Sequence, residues 1–329
     1  MIKEGNAEKI NLKRITYINL LNRTLEMYMK GDYLEAYNFI TENYQDIKGN
    51  LAQIYNFRYT IANKAGLEEL ALKIMSEAIL EKGFWYQYNY LIEDEDLKSL
   101  NKYKKFGELL DICKKRELEA KKNEKYDLKI VVPKKLNEQY KYPLIVALHG
   151  DQENIEITED YWSSCCIDKH CLLALPQSSQ IQFSEGYEWK DIEKGSRELK
   201  EHCENILEKY NINSDNIIVG GFSAGGRVAL YSILKDIIQV KGFIFVAPWL
   251  PEIDEWAPLL DKIREKEIKG YVVCGDKEDD CYECTRRFTD LLGSKKISYE
   301  SRIIKGLDHD YPDSFNEILQ KAIEFILKR

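Results

Sequence analysis

Apolar residues recur at two different periods along the chain, and the change of period divides the sequence into two regions. Up to about residue 125 the spacing is three and four, as in the stretches from Ile15 to Leu25 and from Leu67 to Ala78. This spacing is typical of amphipathic helices. The same part contains no proline and few β-branched clusters. We therefore predict an all-α domain over residues 1–124.

A short frame recurs within this helical region. Gly31 and Ala36 have the same Gly-x-x-x-x-Ala relation as Gly66 and Ala71, 35 residues further on. The spacing resembles that of tetratricopeptide repeats, whose helical hairpins recur at about 34 residues. An ordinary helical bundle is the alternative. Either structure would offer a surface for a protein partner or would pack against the second region, and neither suggests chemistry.

From Lys125 onward, short apolar runs alternate with amphipathic stretches. The predicted strands are Asp127–Val132, Leu144–Leu148, Leu172–Leu175, Ile217–Val219, Phe243–Val246, Tyr271–Cys274 and Ser298–Ile304, and the clearest helices are Gly195–Tyr210, Gly225–Leu234 and Cys284–Leu292. Apolar strands separated by helices predict a mostly parallel sheet covered on both faces. Residues 125–329 are therefore expected to form an α/β domain, in which ligands bind beyond the carboxyl ends of the strands.

Charge and composition exclude several classes of protein. The chain has 329 residues and a formal net charge of −8, whereas nucleic-acid binding requires a basic surface. No apolar run approaches the roughly 18 residues of a membrane span, and the first residues lack the pattern of a signal peptide. We expect a cytoplasmic protein that binds neither nucleic acid nor membrane.

The eight cysteines suit a reducing compartment, where they are usually small buried hydrophobes. Cys281 and Cys284 form one C-x-x-C pair. A structural zinc site usually needs a second pair of ligands, and no histidine lies beside this pair. We therefore predict no metal site.

The most informative stretch follows the predicted strand that ends at Val219. Residues 221–225 read Gly-Phe-Ser-Ala-Gly, a G-x-S-x-G motif directly before a predicted helix. A tight strand-to-helix turn requires glycine at the flanking positions and exposes the serine hydroxyl at a helix start, where the helix dipole favours negative charge. We predict that Ser223 is a nucleophile. A glycine-rich loop without chemistry is the alternative.

A serine nucleophile needs a base, which is usually histidine. The chain has four histidines. His309 follows the last predicted strand, in a loop closed by Pro312, and comes after Ser223 in the chain. His170 and His202 precede the serine, in positions more typical of structural or solvated histidines. We therefore predict that His309 is the base, with an incidental loop histidine as the alternative.

The base needs a carboxylate that fixes its tautomer. Several acids follow the strand Tyr271–Cys274, and spacing alone does not select among them. Asp276 is close to the strand end, so we predict Asp279, with Asp280 as the second choice. A merely solvated acidic turn is the alternative. The resulting chain order of serine, acid and histidine is that of α/β-hydrolases.

Attack on an ester carbonyl also requires amide donors for the developing oxyanion. One predicted donor is the amide of Ala224, which follows the nucleophile. The second is the amide of Asp151, after the strand that ends in His149 and Gly150, with Gln152 as an alternative. We interpret His149 as a structural histidine that braces this loop. The loop of residues 186–191 contains aromatic side chains, which either line the substrate pocket or only pack against the rest of the protein.

With these features together, residues 125–329 resemble the α/β-hydrolase superfamily, and most closely its phospholipase/carboxylesterase and dienelactone-hydrolase-like esterases. The matching segments are residues 143–150, 176–179, 221–226, the acids after Gly275, and residues 308–312. The resemblance implies hydrolysis of a small-molecule carboxylic ester through an acyl-enzyme, without a cofactor.

Three alternatives remain open at this stage. The same triad serves serine peptidases and thioesterases. In a third alternative, the helical region recruits a partner and the hydrolase is incidental.

The segment from Pro248 to Gly270 has room for little more than one short helix. We therefore expect an open mouth unless the N-terminal region covers it.

Overall fold

The computed structural model describes residues 15–133, 137, 139–165, 171–277 and 279–328, apart from the side chain of Asp279. The N-terminal region is helical, as predicted. Its described helices are α1 (Tyr17–Met29), α2 (Tyr33–Asn43), α3 (Leu51–Lys64), α4 (Glu68–Ser76), α5 (Tyr88–Glu93) and α6 (Lys104–Lys122). A π-helical turn over residues 77–81 extends α4, and a 3-10 helix over residues 95–102 precedes α6. No helix of the described chain is both long and apolar enough to cross a membrane.

Caps and glycines set the limits of two helical hairpins. Thr16 and Asn50 cap α1 and α3, because each side-chain oxygen accepts the amide three residues further along. Gly31 and Gly66, with φ of +86° and +81°, lie in the turns that follow these helices, where a left-handed conformation favours glycine. The alanine of each frame is fully buried. The recurring frame thus corresponds to the pairs α1–α2 and α3–α4.

The second region contains one seven-stranded sheet. Its strands are β1 (Asp127–Val131), β2 (Tyr142–Leu148), β3 (Leu172–Gln177), β6 (Ile212–Phe222), β7 (Gly242–Val246), β8 (Lys269–Gly275) and β9 (Tyr299–Ile304), and a separate hairpin is formed by β4 (Ile181–Phe183) and β5 (Gly186–Tyr187). The order in the sheet is β1-β3-β2-β6-β7-β8-β9. Only β1 runs antiparallel to its neighbour. The predicted mostly parallel sheet is confirmed.

Helices cover both faces of this sheet. They are α7 (Ile155–Trp162), α8 (Ile192–Lys209), α9 (Ala224–Leu234), α10 (Ile253–Trp256), α11 (Asp261–Glu265), α12 (Asp279–Ser294) and α13 (Phe315–Leu327). Side chains of α8, α9 and α12 form the core on one face, and those of α7 and α13 form the core on the other. Leu20, Ile40 and Ile54 of the N-terminal helices belong to the second of these cores. The two regions therefore share buried apolar side chains.

Several element boundaries differ from the predicted ones. Helix α12 begins at Asp279, five residues before the predicted start at Cys284. Acidic residues are favourable in a first helical turn, so the turn carries no apolar signal of its own. Strand β6 begins at Ile212, five residues before the predicted start at Ile217. Its first part contains the polar residues 213–216, which lie beside β2 at a change of register and so carry no apolar pattern. The hairpin β4–β5 was not predicted, since strands of two and three residues leave no pattern.

We expect Leu20→Ala to lower the free energy of unfolding by about 2–5 kcal/mol, because it removes a fully buried side chain from the core shared by both regions. The control is Met29→Ala on the same helix, where the side chain is 77% exposed and little change is expected. Urea unfolding followed by circular dichroism measures both variants. Equal stability of the two variants would contradict the shared core.

Candidate active site

The backbone at Ser223 is held in an uncommon conformation between β6 and α9. Its φ is +50° and its ψ is −120°, which a residue with a side chain rarely adopts. Three backbone bonds hold the turn: the Ser223 amide donates to the Val246 carbonyl at 3.0 Å, and the Ser223 carbonyl accepts the amides of Gly226 at 3.0 Å and Trp249 at 3.3 Å. The serine side chain is only half-buried. Such a turn presents the hydroxyl above the sheet.

Close backbone contacts explain the flanking glycines. A Cβ on Gly221 would lie 2.5 Å from the carbonyl carbon of Gly225. A Cβ on Gly225 would lie 2.5 Å from the His149 carbonyl oxygen. Backbone atoms cannot move aside as a flexible side chain can, so both positions require glycine. The pentapeptide is therefore a packed turn and not a flexible loop.

His309 lies next to this turn. Its ring packs on the ring of Phe222, the residue before Ser223, with 4.7 Å between centroids. The His309 carbonyl accepts a hydrogen bond of 3.0 Å from Asn22 Nδ2 of α1. Although 86 positions separate it from the serine in sequence, the fold brings the loop after β9 to the end of β6. The N-terminal region thus contacts the predicted base directly.

The loop of His309 is held by further polar contacts. Asp308 Oδ1 accepts the His309 amide at 3.0 Å, and Asp308 Oδ2 accepts a 2.9 Å bond from Lys277 Nζ. Burial alone would raise the pKa of Asp308, but these hydrogen bonds and the Lys277 charge outweigh burial and lower it. Asp308 is therefore ionised and paired with Lys277 at neutral pH.

The structure describes only some of the candidate acids. Asp276 Oδ1 accepts the Gly306 amide at 2.5 Å, so this carboxylate braces the turn after β9. Asp280 is exposed on α12. Asp279 is the first residue of α12, and its side chain lies outside the described part of the chain. The choice of Asp279 stays a prediction.

The predicted oxyanion turn follows β2. Gln152 has a φ of +65°, and its amide donates to the Tyr187 carbonyl at 2.7 Å. The amide of Gln152, the alternative oxyanion donor, is therefore already engaged in a hydrogen bond. Asp151 Oδ1 accepts the Trp189 amide at 2.9 Å, which ties the turn to the aromatic loop after β5. Ala224 is the first residue of α9, where an amide has no partner within the helix.

His149 is buried, and its ring forms hydrogen bonds to the backbone around this turn. Its Nε2 accepts the Ser178 amide at 3.2 Å, and its Nδ1 is 2.7 Å from the Gly150 carbonyl. An amide can only donate, so the ring proton must be on Nδ1, which donates to that carbonyl. Burial lowers the pKa of His149 to about 4, and the ring stacks on Trp189 at 4.8 Å. This is the geometry of a structural histidine.

Within the aromatic loop of residues 186–191, Trp189 packs in the interior of the protein. This side chain is buried, and its Nε1 donates to the His149 carbonyl at 2.8 Å. Of the other histidines, His202 is buried and its ring meets Tyr126 edge-on at 5.0 Å. His170 lies outside the described residues.

Glu153 is a buried carboxyl that sequence reasoning missed. It is 6% exposed, and its Oε2 accepts the Gly150 amide at 2.9 Å. Burial, together with the neighbouring carboxylates Asp310 and Asp151, raises the pKa of Glu153 to about 8, although the hydrogen bond from the Gly150 amide opposes this shift. At neutral pH this carboxyl is therefore mostly protonated. No sequence signal distinguished it from the many surface glutamates.

Comparisons with known proteins cover both regions of the chain. A family profile described as "A/B hydrolase-like, N-terminal domain" matches residues 16–121, and one described as "Phospholipase/Carboxylesterase" matches residues 179–328. The solved structure of an uncharacterized protein from Bacillus cereus ATCC 10987 is 53% identical, with a TM-score of 0.56, and the similarity covers 95% of this chain and 99% of that chain. Residues 179–328 of the chain therefore match the phospholipase/carboxylesterase family, and the mostly parallel sheet is the fold expected of α/β-hydrolases. The protein is a hydrolase that acts on ester bonds.

A second relative shares a shorter segment with this hydrolase. Acyl-protein thioesterase 1 of Mycosarcoma maydis is 33% identical over 87 residues, which are 26% of this chain and 36% of the relative. The chain thus matches only about a third of that curated relative. Among the described residues of the hydrolase, no group of three or more His, Cys, Asp or Glu side chains gathers as a metal site would require. Cys281 is buried and Cys284 half-buried on α12.

We expect Glu153→Gln to gain stability over the unaltered hydrolase as pH rises. The folded-state pKa of about 8 exceeds the usual 4.5. Between about pH 4.5 and about pH 8, Glu153 therefore ionises in the unfolded chain but stays mostly protonated in the folded protein, and stability falls progressively as pH rises. Glutamine cannot ionise, and its oxygen still accepts the Gly150 amide. The difference should grow by at most about 1.4 kcal/mol per pH unit and level off above pH 8.

Urea unfolding at several pH values between 5 and 9 measures this difference. Glu156→Gln, at an exposed position of α7, is the matched control and should show no such trend. A constant difference between Glu153→Gln and the unaltered protein would contradict the raised pKa of Glu153.

Proposed function

We propose that the hydrolase is a serine carboxylesterase in which Ser223 is the nucleophile, His309 the base and Asp279 the acid that orients His309. The observation that carries the proposal is the strained turn at Ser223, with the His309 ring packed on the neighbouring Phe222. The match of residues 179–328 to the phospholipase/carboxylesterase family supports it.

In the first half of the proposed reaction, Ser223 Oγ bonds to the ester carbonyl carbon while His309 takes the hydroxyl proton. The carbonyl oxygen becomes negatively charged, and the amides of Asp151 and Ala224 are its proposed donors. The bond to the alcohol oxygen then breaks, and His309 gives its proton to the departing alcohol. The acyl group remains on Ser223.

In the second half, a water molecule replaces the alcohol. His309 takes a proton from the water, whose oxygen bonds to the acyl carbon. The bond to Ser223 Oγ breaks, the serine recovers a proton from His309, and the carboxylic acid leaves. The net reaction consumes one ester and one water and needs no cofactor.

Asp279 is proposed as the acid because of its place in the chain and in the fold. It begins α12 shortly after β8, between Ser223 and His309 in sequence, as the order of this fold requires. The two competing carboxylates are less suitable, since Asp276 bonds the Gly306 amide and Asp280 is exposed.

A thioesterase is the second candidate function. The same triad can cleave thioesters, and the relative from Mycosarcoma maydis carries the name of an acyl-protein thioesterase. Matched pairs of p-nitrophenyl esters and thioesters of the same acid distinguish the two functions. The proposal of a carboxylesterase expects the oxygen ester to be cleaved with the larger kcat/KM.

Labelling with a fluorophosphonate probe tests the nucleophile. We expect the unaltered protein to label and Ser223→Ala to lose the label, because the probe reacts with an activated serine hydroxyl. Ser178→Ala provides a serine control at a buried position outside the proposed triad. Equal labelling of Ser223→Ala and the unaltered protein would overturn the assignment.

Paired variants test the acid. Asp279→Asn should lower kcat roughly 10³- to 10⁴-fold, because the histidine loses the carboxylate that fixes its tautomer. Asp280→Asn, the same change one residue along, should stay close to the unaltered enzyme. Hydrolysis of p-nitrophenyl acetate measures both. The opposite ranking would transfer the role to Asp280.

A further inference from the structure

The N-terminal helices touch the candidate active site at two separate places. Asn22 Nδ2 of α1 donates to the His309 carbonyl at 3.0 Å. Gln53 Nε2 of α3 donates to Gln152 Oε1 at 3.2 Å, next to the proposed oxyanion donor Asp151. One contact is at the loop of the base and the other is at the oxyanion turn. Helix α1 therefore contacts the loop of the proposed base, and helix α3 contacts the proposed oxyanion turn.

The helix faces that make these contacts continue into a groove. On α1, Leu25 lies one turn beyond Asn22. On α3, Asn56, Phe57 and Thr60 follow Gln53 at spacings of three, four and seven, and so share its side of the helix. The residues beyond both contacts line two cavities of the N-terminal region. We call this the roof groove.

The roof groove consists of two adjoining cavities that share Asn56 and Tyr90. The larger, of about 430 Å³, is lined by Leu25, Tyr28, Asn56, Phe57, Thr60, Ile61, Tyr90, Glu93, Asp94 and Asp96. The smaller, of about 90 Å³, is lined by Gln53, Asn56, Tyr86, Gln87, Tyr90, Gln152, Gln182 and Phe183. Most of the lining is aromatic, aliphatic or amide. Through Gln152, the groove reaches the oxyanion turn.

The polar groups in the groove restrict what it can hold. Its charged lining residues in the described chain are all carboxylates, Glu93, Asp94 and Asp96. Thr60 Oγ1 and Gln182 Oε1 are buried and have no hydrogen-bond partner among the described residues. Lys64 Nζ pairs with Asp96 Oδ1 at 2.5 Å. The remaining negative charge of the groove therefore comes from Glu93 and Asp94, which would repel an anionic ligand. An uncharged chain with one hydrogen-bonding substituent would satisfy the buried oxygens.

The connection between β7 and β8 offers the α/β region little structure with which to cover a substrate. It contains only α10, a 3-10 turn over residues 257–260 and α11. The roof groove is a largely apolar surface of the N-terminal region that reaches the oxyanion turn through Gln152. Apolar ligand groups gain affinity by leaving water for such a surface.

We propose that the roof groove binds an uncharged apolar arm of the ester substrate and excludes anionic arms. The inference rests on the proposed function at Ser223 and adds a substrate class to it: esters with a medium-length aliphatic or aryl arm, and not the polyanionic acyl-CoA thioesters. The N-terminal helices, and not a lid within the α/β region, determine the choice of substrate.

Kinetics with p-nitrophenyl acetate, butyrate and hexanoate test the proposal. We expect kcat/KM to rise by up to about four-fold for each added methylene that is buried. The p-nitrophenyl monoester of adipic acid has the chain length of the hexanoate but ends in a carboxylate. Its kcat/KM should be at least about ten-fold lower than that of the hexanoate, because Glu93 and Asp94 would repel the added carboxylate.

Two variants locate the effect. Leu25→Trp fills the groove at a residue that is 44% exposed, so folding should tolerate it, and it should lower the hexanoate-to-acetate ratio of kcat/KM about ten-fold. Phe57→Ala removes a lining side chain and should lower the same ratio. Leu118→Trp makes the matched change on α6, at a residue 58% exposed and outside the groove, and should leave the ratio unchanged.

The outcomes separate this inference from the proposed function. If the unaltered protein does not hydrolyse even the acetate, the esterase proposal itself fails. If it cleaves acetate but shows no preference for hexanoate over the adipate ester, the substrate class is wrong. If Leu25→Trp and Leu118→Trp leave the ratio equally unchanged, or if Leu25→Trp lowers acetate and hexanoate alike, the roof groove is not the site of the arm.

Discussion

The backbone conformation of Ser223 is the constraint on which the site depends. A positive φ at a residue with a Cβ costs about 1–3 kcal/mol and persists only where the surroundings enforce it. Here the enforcement comes from two glycines packed against backbone atoms and from three backbone hydrogen bonds, one to β7, one from the loop after β7 and one from the first turn of α9. The parallel sheet is what places these groups side by side. The strain at one residue is thus offset by the packing of several elements.

The same packing makes the N-terminal helices part of the enzyme. They contribute Leu20, Ile40 and Ile54 to the core behind the sheet, and Asn22 bonds the carbonyl of His309. In return, Phe183 of the β4–β5 hairpin is buried in the core of the helical region. A change in the position of the helices would therefore move the loop of His309 and the predicted oxyanion turn together. This coupling is the physical basis of the role in substrate choice that we propose for the helical region.

Buried ionisable groups beneath the oxyanion turn are kept neutral at neutral pH. Burial lowers the pKa of His149 and raises that of Glu153, so both groups are mostly uncharged while they bond the backbone around Gly150. Neutral partners can brace the turn without placing a full charge under the position where an oxyanion would form. Carboxylates, in contrast, dominate the charge of the roof groove, where they would repel anions.

Local pattern was enough to predict the fold class, the glycine-flanked serine and the position of His309 after the last strand, because hydrophobic period and steric demand act over a few residues. It did not predict the hairpin β4–β5, the early start of α12 or the buried Glu153. Those features depend on partners far away in sequence: β4 packs on the helical core, and Glu153 is buried by elements from both regions. Chain order alone also left several acids equivalent, since the environment that distinguishes carboxylates exists only in the folded protein. Contact between the helices and the active site was likewise decided by tertiary structure, because burial and long-range hydrogen bonds have no local sequence signature.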